Sequence, residues 1–323
     1  MKERIPADFE SKEQVTREEV RSFYSNAAVS VQENLCCPAD YDPDQLSHIP
    51  KEVLEISYGC GSPMERADIQ AGETVVDLGS GGGIDCFVAS KMTGSNGRVY
   101  GIDMTEEMIG QAKKNAKKVG QNLGYYNVEF RRGFLEDVPL DDTSVNVVTS
   151  NCVVNLSTDK IGVFGEIRRI LKPGGRFMIS DILSSKTVPQ KMRENKSLWG
   201  ECVSGALTLS EFLAIAQKCR FVGLTIRKDY LWKVINGIRF YSFTMEGFKL
   251  KIPKKSDRKL LTAIYTGPFT SVVCGGETYQ VGVAKEIDEN TAGFLQSGPF
   301  ACYFNILDPN ESVSESSDSS CCG

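Results

Sequence analysis

The stretch VDLGSGGG at residues 76–83 limits what this chain can fold into more than any other segment. A β-branched run, TVVDL, enters a cluster of glycines, and IDCFVASKM then continues with the composition of a helix. Glycine lets the backbone turn sharply there and lets peptide groups approach a ligand closely. From Glu73 onward short apolar runs alternate with helical patterns. RVYGID, NVEFRRG, VNVVTSN and RFMISDI read as strands. TEEMIGQAKKNAKKVG reads as a helix closing at Gly120, and KIGVFGEIRRILKPGG as one stopped by Pro173 and its glycines. This alternation predicts a doubly wound, Rossmann-like α/β domain with a parallel sheet.

The glycine loop also predicts a ligand. Asp77, Gly79, Gly81 and Gly83 form D-x-G-x-G-x-G, and Asp103 closes the second strand, where a carboxylate can accept both ribose hydroxyls of a nucleoside. An NAD fingerprint needs Gly or Ala where Ile84 stands. An acidic residue two before the first glycine, with an LKPGG turn before the fifth strand, suits instead the loop of class I S-adenosylmethionine (SAM) methyltransferases. Asp77, Gly79, Ser80, Gly81 and Asp103 are the candidate cofactor residues of this region. Glu136, in GFLEDVP after the third strand, lies where an adenine amino group would be held; a solvated turn acid is the competing reading.

At 323 residues the chain has room for a main domain and a smaller appendage. A net charge of −5 gives no basic footprint for nucleic acid. Lys113, Lys114, Lys117 and Lys118 recur at helical spacing as one solvated face, and the run from Lys249 to Lys259 reads as a connector. The apolar runs are short and the start, MKERIPADFE, lacks an apolar core, so neither a membrane span nor a secretory signal is expected, and the location expected is cytoplasmic. Four parts follow: a helical N-terminal segment (1–56) with a Cys36/Cys37 loop, a methyltransferase domain (57–248), a small α+β domain (249–308) and a serine-rich acidic tail (309–323) expected to be disordered. Within them VPQKMRENKSLWG and TLSEFLAIAQKC read as helices, and GLTIRKDY and IRFYSFTMEGFKL as strands extending the sheet. LLTAIYTG and TYQVGVAKEI read as strands of the small domain.

Thiols are the unusual resource of this chain. It has 11 cysteines and one histidine, His48, which reads as a partly exposed loop residue. No C-x-x-C occurs, so the spacing is not that of a zinc module. In open α/β sheets ligands bind at the carboxyl ends of the strands, at the switch point, here between the first and fourth strands. Cys152, in TSNCVVNL, directly follows the fourth strand and so belongs beside the transferable methyl group; a cysteine buried as a small apolar residue is the alternative. Cys202 lies among small residues in LWGECVSGAL, and Cys60 stands between two glycines in SYGCGSP, a turn expected to be flexible. Cys86 and Cys219 read as structural, Cys274 and Cys302 as core or surface residues of the small domain.

SYGCGSP, VDLGSGGGIDC, GIDMT, SNCVVNL and LWGECVSGAL together resemble the arsenite S-adenosylmethionine methyltransferase family, over about residues 30 to 305. The resemblance implies that Cys60, Cys152 and Cys202 bind trivalent arsenic. It implies further that an N-terminal thiol, Cys36 or Cys37, joins the reaction cycle. Cofactor contacts carry over to Tyr58, Gly59, Gly79, Met104, Leu135, Glu136 and Asn151. The implied substrates are arsenite and methylarsenite, with a thiol reductant such as glutathione or thioredoxin, and the enzyme is expected to be a monomer. Soft thiolates suit a thiophilic centre. Arsenic held by three sulfurs keeps a lone pair for the methyl group, so no general base is needed. Methylation raises arsenic to the pentavalent state, and two thiols closing to a disulfide supply the electrons that return it. A carbon or oxygen methyltransferase would share the glycine loop but leave the three thiols unexplained; a thiol-based metal buffer would leave the nucleoside site unexplained.

Overall fold

The computed structural model describes residues 41–54, 59–195, 198–199, 202–250 and 260–309. Cys36, Cys37, Tyr58, the Lys-rich connector and the tail with Cys321 and Cys322 lie outside the described residues. The chain divides into two compact units between Lys249 and Leu250.

The first unit opens with three single-turn helices, α1 (Pro43–Leu46), α2 (Lys51–Leu54) and α3 (Pro63–Arg66). Then β1 (Thr74–Leu78), α4 (Ile84–Thr93), β2 (Arg98–Asp103), α5 (Glu106–Leu123), β3 (Val128–Arg132), β4 (Val145–Asn151), α6 (Lys160–Ile170) and β5 (Leu171–Ser184) alternate. After α7 (Gln190–Arg193) come β6 (Leu207–Thr208), α8 (Leu209–Lys218), β7 (Val222–Ile235) and β8 (Ile238–Phe248). The sheet order is β3-β2-β1-β4-β5-β8-β7, with β6 pairing to β5. The strands from β3 to β5 run parallel, whereas β7 and β8 extend the sheet antiparallel. Both neighbours of β1 start their connections in opposite directions, so the switch point lies between β1 and β4.

Strand alternation sorts the side chains onto two covered faces, because successive residues of a strand point oppositely. Val76, Leu78, Val148, Phe177 and Ile179 join a core with Val163, Phe164, Ile167 and Ile170 of α6 and Phe212 of α8. Val75, Val147 and Met178, one position out of phase, join a second core with Phe87 and Val88 of α4 and Ile109 and Ala112 of α5. Phe164 anchors the first core, its ring meeting those of Phe177, Phe212 and Phe221 edge-on at 5.6, 5.2 and 6.1 Å. Burying such a side chain contributes about 1.5–3 kcal/mol.

Three local expectations are corrected. α5 runs past Gly120 and closes at Gly124 (φ 80°). Gly120 is buried, and a Cβ on it would meet the Tyr126 ring at 2.2 Å, so its smallness serves packing and not termination. Of the helix expected over VPQKMRENKSLWG, the described residues form a single turn, α7, interrupted at Glu194 and Asn195, with helix again at 198–199. His48 is buried, with Nε2–H donating to the Phe87 carbonyl at 2.8 Å; burial pushes its pKa down. The four lysines of α5 are exposed as expected.

The second unit holds a three-stranded antiparallel sheet in the order β12 (Ala284–Asp288), β9 (Leu260–Tyr265), β13 (Phe304–Leu307) and a hairpin of β10 (Ser271–Cys274) with β11 (Glu277–Gln280). α9 (Glu289–Leu295) is capped by Asp288, whose carboxylate accepts the Thr291 N–H at 2.7 Å. Cys274 is buried in this unit and Cys302 exposed. No helix among the described residues is long and apolar enough to cross a membrane.

Candidate active site

The glycine loop turns at the carboxyl end of β1. The N–H groups of Gly79 and Ser80 both donate to the Ile102 carbonyl, at 2.8 and 3.0 Å, which ties the loop to β2. Gly79 has φ 74°, and a Cβ there would lie 2.5 Å from Val153. The site therefore needs glycine both for backbone shape and for room. The Asp103 carboxylate accepts Gly81 N–H at 3.0 Å and Thr105 N–H and Oγ–H at 2.9 and 2.6 Å; burial pushes its pKa up against these bonds. Asp77 lies beneath the loop, accepting Thr149 Oγ–H at 2.9 Å, and burial lifts its pKa to about 7. The Ser80 hydroxyl is buried with no partner. An orphaned hydroxyl in a close-approach glycine loop, with a carboxylate at the next strand end, fits a nucleoside ligand.

Met104 packs against the cluster that contains Cys60 and Cys202, while Leu135 packs against the core beneath the sheet. The Glu136 carboxylate accepts the Ser157 hydroxyl.

The thiols converge beside this loop. Sγ of Cys60, Sγ of Cys152 and a carboxylate oxygen of Asp181 all lie within 4.8 Å of one another. The Cys202 thiol donates to the Cys152 carbonyl at 2.8 Å. The Cys152 thiol bonds to both Cys202 and Cys60: the Cys202 bond lowers its pKa, but the Cys60 bond, burial and the nearby Cys60 and Asp181 charges together hold it well above the ordinary thiol value. Cys152 (φ 61°) and Cys202 (φ 59°) both occupy the left-handed backbone region. Non-glycine residues seldom adopt it, and strain of this kind concentrates at functional sites.

Cys60 differs from expectation. It is fully buried, and its turn is held rather than flexible. Its N–H donates to Asn151 Oδ1 at 2.9 Å, while Asn151 Nδ2 donates to the Gly61 carbonyl at 2.9 Å and to Asp85 Oδ2 at 3.2 Å. The flanking glycines serve close approach: a Cβ on Gly59 would lie 2.6 Å from the Asn151 amide, and one on Gly61 2.7 Å from Ser180 Oγ. Cys86 and Cys219 sit apart from this cluster, in the second core and beside the first.

Sequence reasoning missed the polar frame around the thiols. Asp181 is fully buried and accepts Asn155 N–H at 3.0 Å, Asn155 Nδ2–H at 2.7 Å and Ile182 N–H at 2.7 Å; burial lifts its pKa to about 6. Asn155 Nδ2 also reaches the Cys202 carbonyl at 3.5 Å. Lys160 Nζ donates to the Ser157 and Asn155 carbonyls at 2.8 and 3.3 Å, and burial pulls its pKa down to about 8. A lone acid in the apolar run FMISDILS at a strand's carboxyl end was the available signal for Asp181.

A doubly wound sheet with this loop and strand-end carboxylate defines a class I SAM-dependent methyltransferase, and a family profile described as a methyltransferase domain matches residues 69–231. A second profile, a domain of unknown function, matches residues 256–323. The chain is 33% identical to the arsenite methyltransferase of Mus musculus over 88% of this chain and 81% of that one. It is 35% identical to the arsenite methyltransferase of Aquipseudomonas alcaligenes over 90% of each. The crystal structure of an arsenic(III) S-adenosylmethionine methyltransferase from Chlamydomonas reinhardtii matches with a TM-score of 0.63 and 31% identity, covering 84% of this chain and 97% of that one. The chain belongs to the arsenite methyltransferase family.

Proposed function

We infer that this protein transfers methyl groups from SAM to trivalent arsenic held by the thiolates of Cys60, Cys152 and Cys202. The observation that carries the reading is the convergence of the three cysteines at the carboxyl end of β4, beside the glycine loop. Each thiol displaces one hydroxide of arsenite. An As–O bond breaks, an As–S bond forms, and the thiol proton leaves on that oxygen as water. Arsenite offers three such positions and methylarsenite two.

Gly79, Ser80, Gly81 and Asp103 would hold SAM, joined by Tyr58, Gly59, Met104, Leu135, Glu136 and Asn151 as the family resemblance implies. When bound, SAM supplies a methyl group made electrophilic by its positive sulfur, and the arsenic substrate supplies the lone pair that takes it. The residues of the chain contribute position. Cys152 N–H donates to the Ser180 carbonyl at 2.8 Å, and the Cys202 thiol is tied to the Cys152 carbonyl, so these sulfurs are set before substrate arrives. Holding reactants near attack distance supplies a large part of a barrier reduction without a base.

The described cysteines are all free thiols, which suits a reducing cytoplasm. We assign Cys36 or Cys37 to the redox half of the cycle, with glutathione or thioredoxin as reductant and the monomer as the active form. The four-part organisation, with divisions after residues 56, 248 and 308, completes this reading.

Incubation with arsenite, SAM and a thiol reductant, followed by arsenic speciation, tests it. Methylated arsenicals are expected. Persistent arsenite in the presence of bound SAM would exclude the assignment.

A further inference from the structure

The carbonyl of Cys60 is gripped by two hydroxyls from strands outside every cofactor or thiol motif. Ser242, fully buried on β8, donates its Oγ–H to that carbonyl, and Tyr230 on β7 donates its OH at 3.2 Å. Register places Ser242, and Tyr230 lies where the β7 register shifts between Lys228 and Leu231. β5 and β8 pair Ile182 with Ser242 and Ser180 with Thr244, so Ser242 and Thr244 share a face two residues apart. Thr244 Oγ–H donates to Asp229 Oδ2 at 2.8 Å, which leaves Ser180 as donor across its 2.9 Å contact to Thr244. Asp229 is fixed in turn by Arg66, Nη1 to Oδ1 at 2.8 Å. The Cys60 peptide is thus held at its N–H by β4, through Asn151, and at its carbonyl by the antiparallel extension of the sheet.

Cys152 and Cys202 are held differently. Their backbone bonds run through the Ser180 carbonyl, the Trp199 carbonyl, the Cys202 thiol and Asn155, and Cys152 meets Cys60 through its thiol. Releasing the Cys60 carbonyl would therefore free one thiol of the three. A buried carbonyl that loses its donor also carries a desolvation cost, which favours rotation of the peptide away from its present position.

We propose that Ser242 and Tyr230 are positioning residues that aim the Cys60 thiol at Cys152, and that they thereby set the preference for arsenite over methylarsenite. The proposal rests on the arsenic reading above. A substrate needing three sulfurs feels the loss of an aimed Cys60. A substrate needing two can use the Cys152–Cys202 pair.

The test compares Ser242→Ala, Tyr230→Phe, Ser242→Thr and Cys60→Ser. Initial rates are measured on arsenite and methylarsenite, with calorimetric titration of each arsenical and a thermal melt. For Ser242→Ala the ratio of arsenite to methylarsenite rate falls about tenfold, the worth of one buried hydrogen bond, and the ratio of affinities falls with it. Tyr230→Phe moves the ratio in the same direction, and Ser242→Thr, which keeps the hydroxyl, restores it. Should Ser242→Ala fail to fold, Tyr230→Phe carries the same readout. Parallel loss on both substrates, or no change in the ratio, overturns the proposal. Cys60→Ser separates the two levels. If it collapses the ratio while the hydroxyl variants do not, only the positioning proposal fails. If it leaves the ratio intact, the arsenic role of Cys60 fails and takes the proposal with it.

Discussion

Asn151 accepts the backbone N–H of Cys60 through Oδ1 at 2.9 Å, joining the last residue of the fourth strand to a turn that precedes the first. The same amide donates to Asp85 in the first turn of the helix after the glycine loop. One side chain therefore links the cofactor side of the site to its thiol side.

The three thiols should separate by the valence of the substrate. Cys60→Ser should abolish methylation of arsenite and spare much of the activity on methylarsenite. Cys152→Ser and Cys202→Ser should abolish both, since one remaining thiolate cannot hold and orient the arsenic. Initial rates of the three variants on both substrates decide this; normal arsenite turnover by Cys60→Ser would contradict it.

Asp103→Ala should weaken SAM binding by tenfold or more while arsenite affinity stays within a few-fold, because the carboxylate supports the loop and not the thiols. Gly79→Val is expected to damage both affinities. Its side chain would push Val153, the neighbour of Cys152. Calorimetric titration of each variant with each ligand checks the pair, and equal loss of both affinities in folded Asp103→Ala would argue against separate sites.

Gly61→Ala should lower stability by roughly 1–3 kcal/mol, the usual cost of forcing an extra methyl into a packed site. Its methyl would meet Ser180 Oγ at 2.7 Å, on the residue whose carbonyl holds Cys152 N–H. Thermal melts with arsenite rates should show both falling. A variant with wild-type melting would mean that the turn can move aside.

Stability of the ligand-free protein should decline as pH rises from 5 to 8. Asp77 ionises near 3.8 in an unfolded chain, but burial holds it protonated to about 7 in the fold. The folded state thus binds the extra proton in that window, so the contribution is complete below 3.8 and is lost as pH passes through about 7. Asp85 and Asp181, each lifted by burial to about 6, act in the same sense. Melting temperatures at both pH values, for wild type and Asp77→Asn, measure the slope. An undiminished slope in the variant would remove Asp77 as a source.

Much of the main domain was legible because short apolar, β-branched runs such as TVVDL and VNVVTSN alternate with glycine-bounded helices, the pattern of a parallel sheet covered on both faces. The switch point beside Cys152 followed from strand order alone. What stayed hidden depends on contacts between segments distant in sequence. Gly59 and Gly61 suggested a loose turn, whereas Asn151 and Ser180 require them to be small. His48 gave no sign that the Phe87 carbonyl would bury it. Asp181 and Asn155 form a pair only once β5 and the turn after β4 are side by side. Gly120 looked like a stop signal because sequence cannot show that the Tyr126 ring lies against it.

Cys60, Cys152 and Cys202 come from three separate stretches of chain: ahead of the sheet, at its centre and in the turns before β6. Bound arsenic would act on these stretches as a removable three-point staple. The folded form would gain stability in proportion to how far free arsenite exceeds its dissociation constant. On the proposed ligation, carbon would hold one of the three positions once the methylated arsenic has returned to trivalency, so a full cycle would undo part of the brace that the substrate provides. An enzyme built this way would be tightest when loaded and would slacken as it turns over, which would give the product a way out.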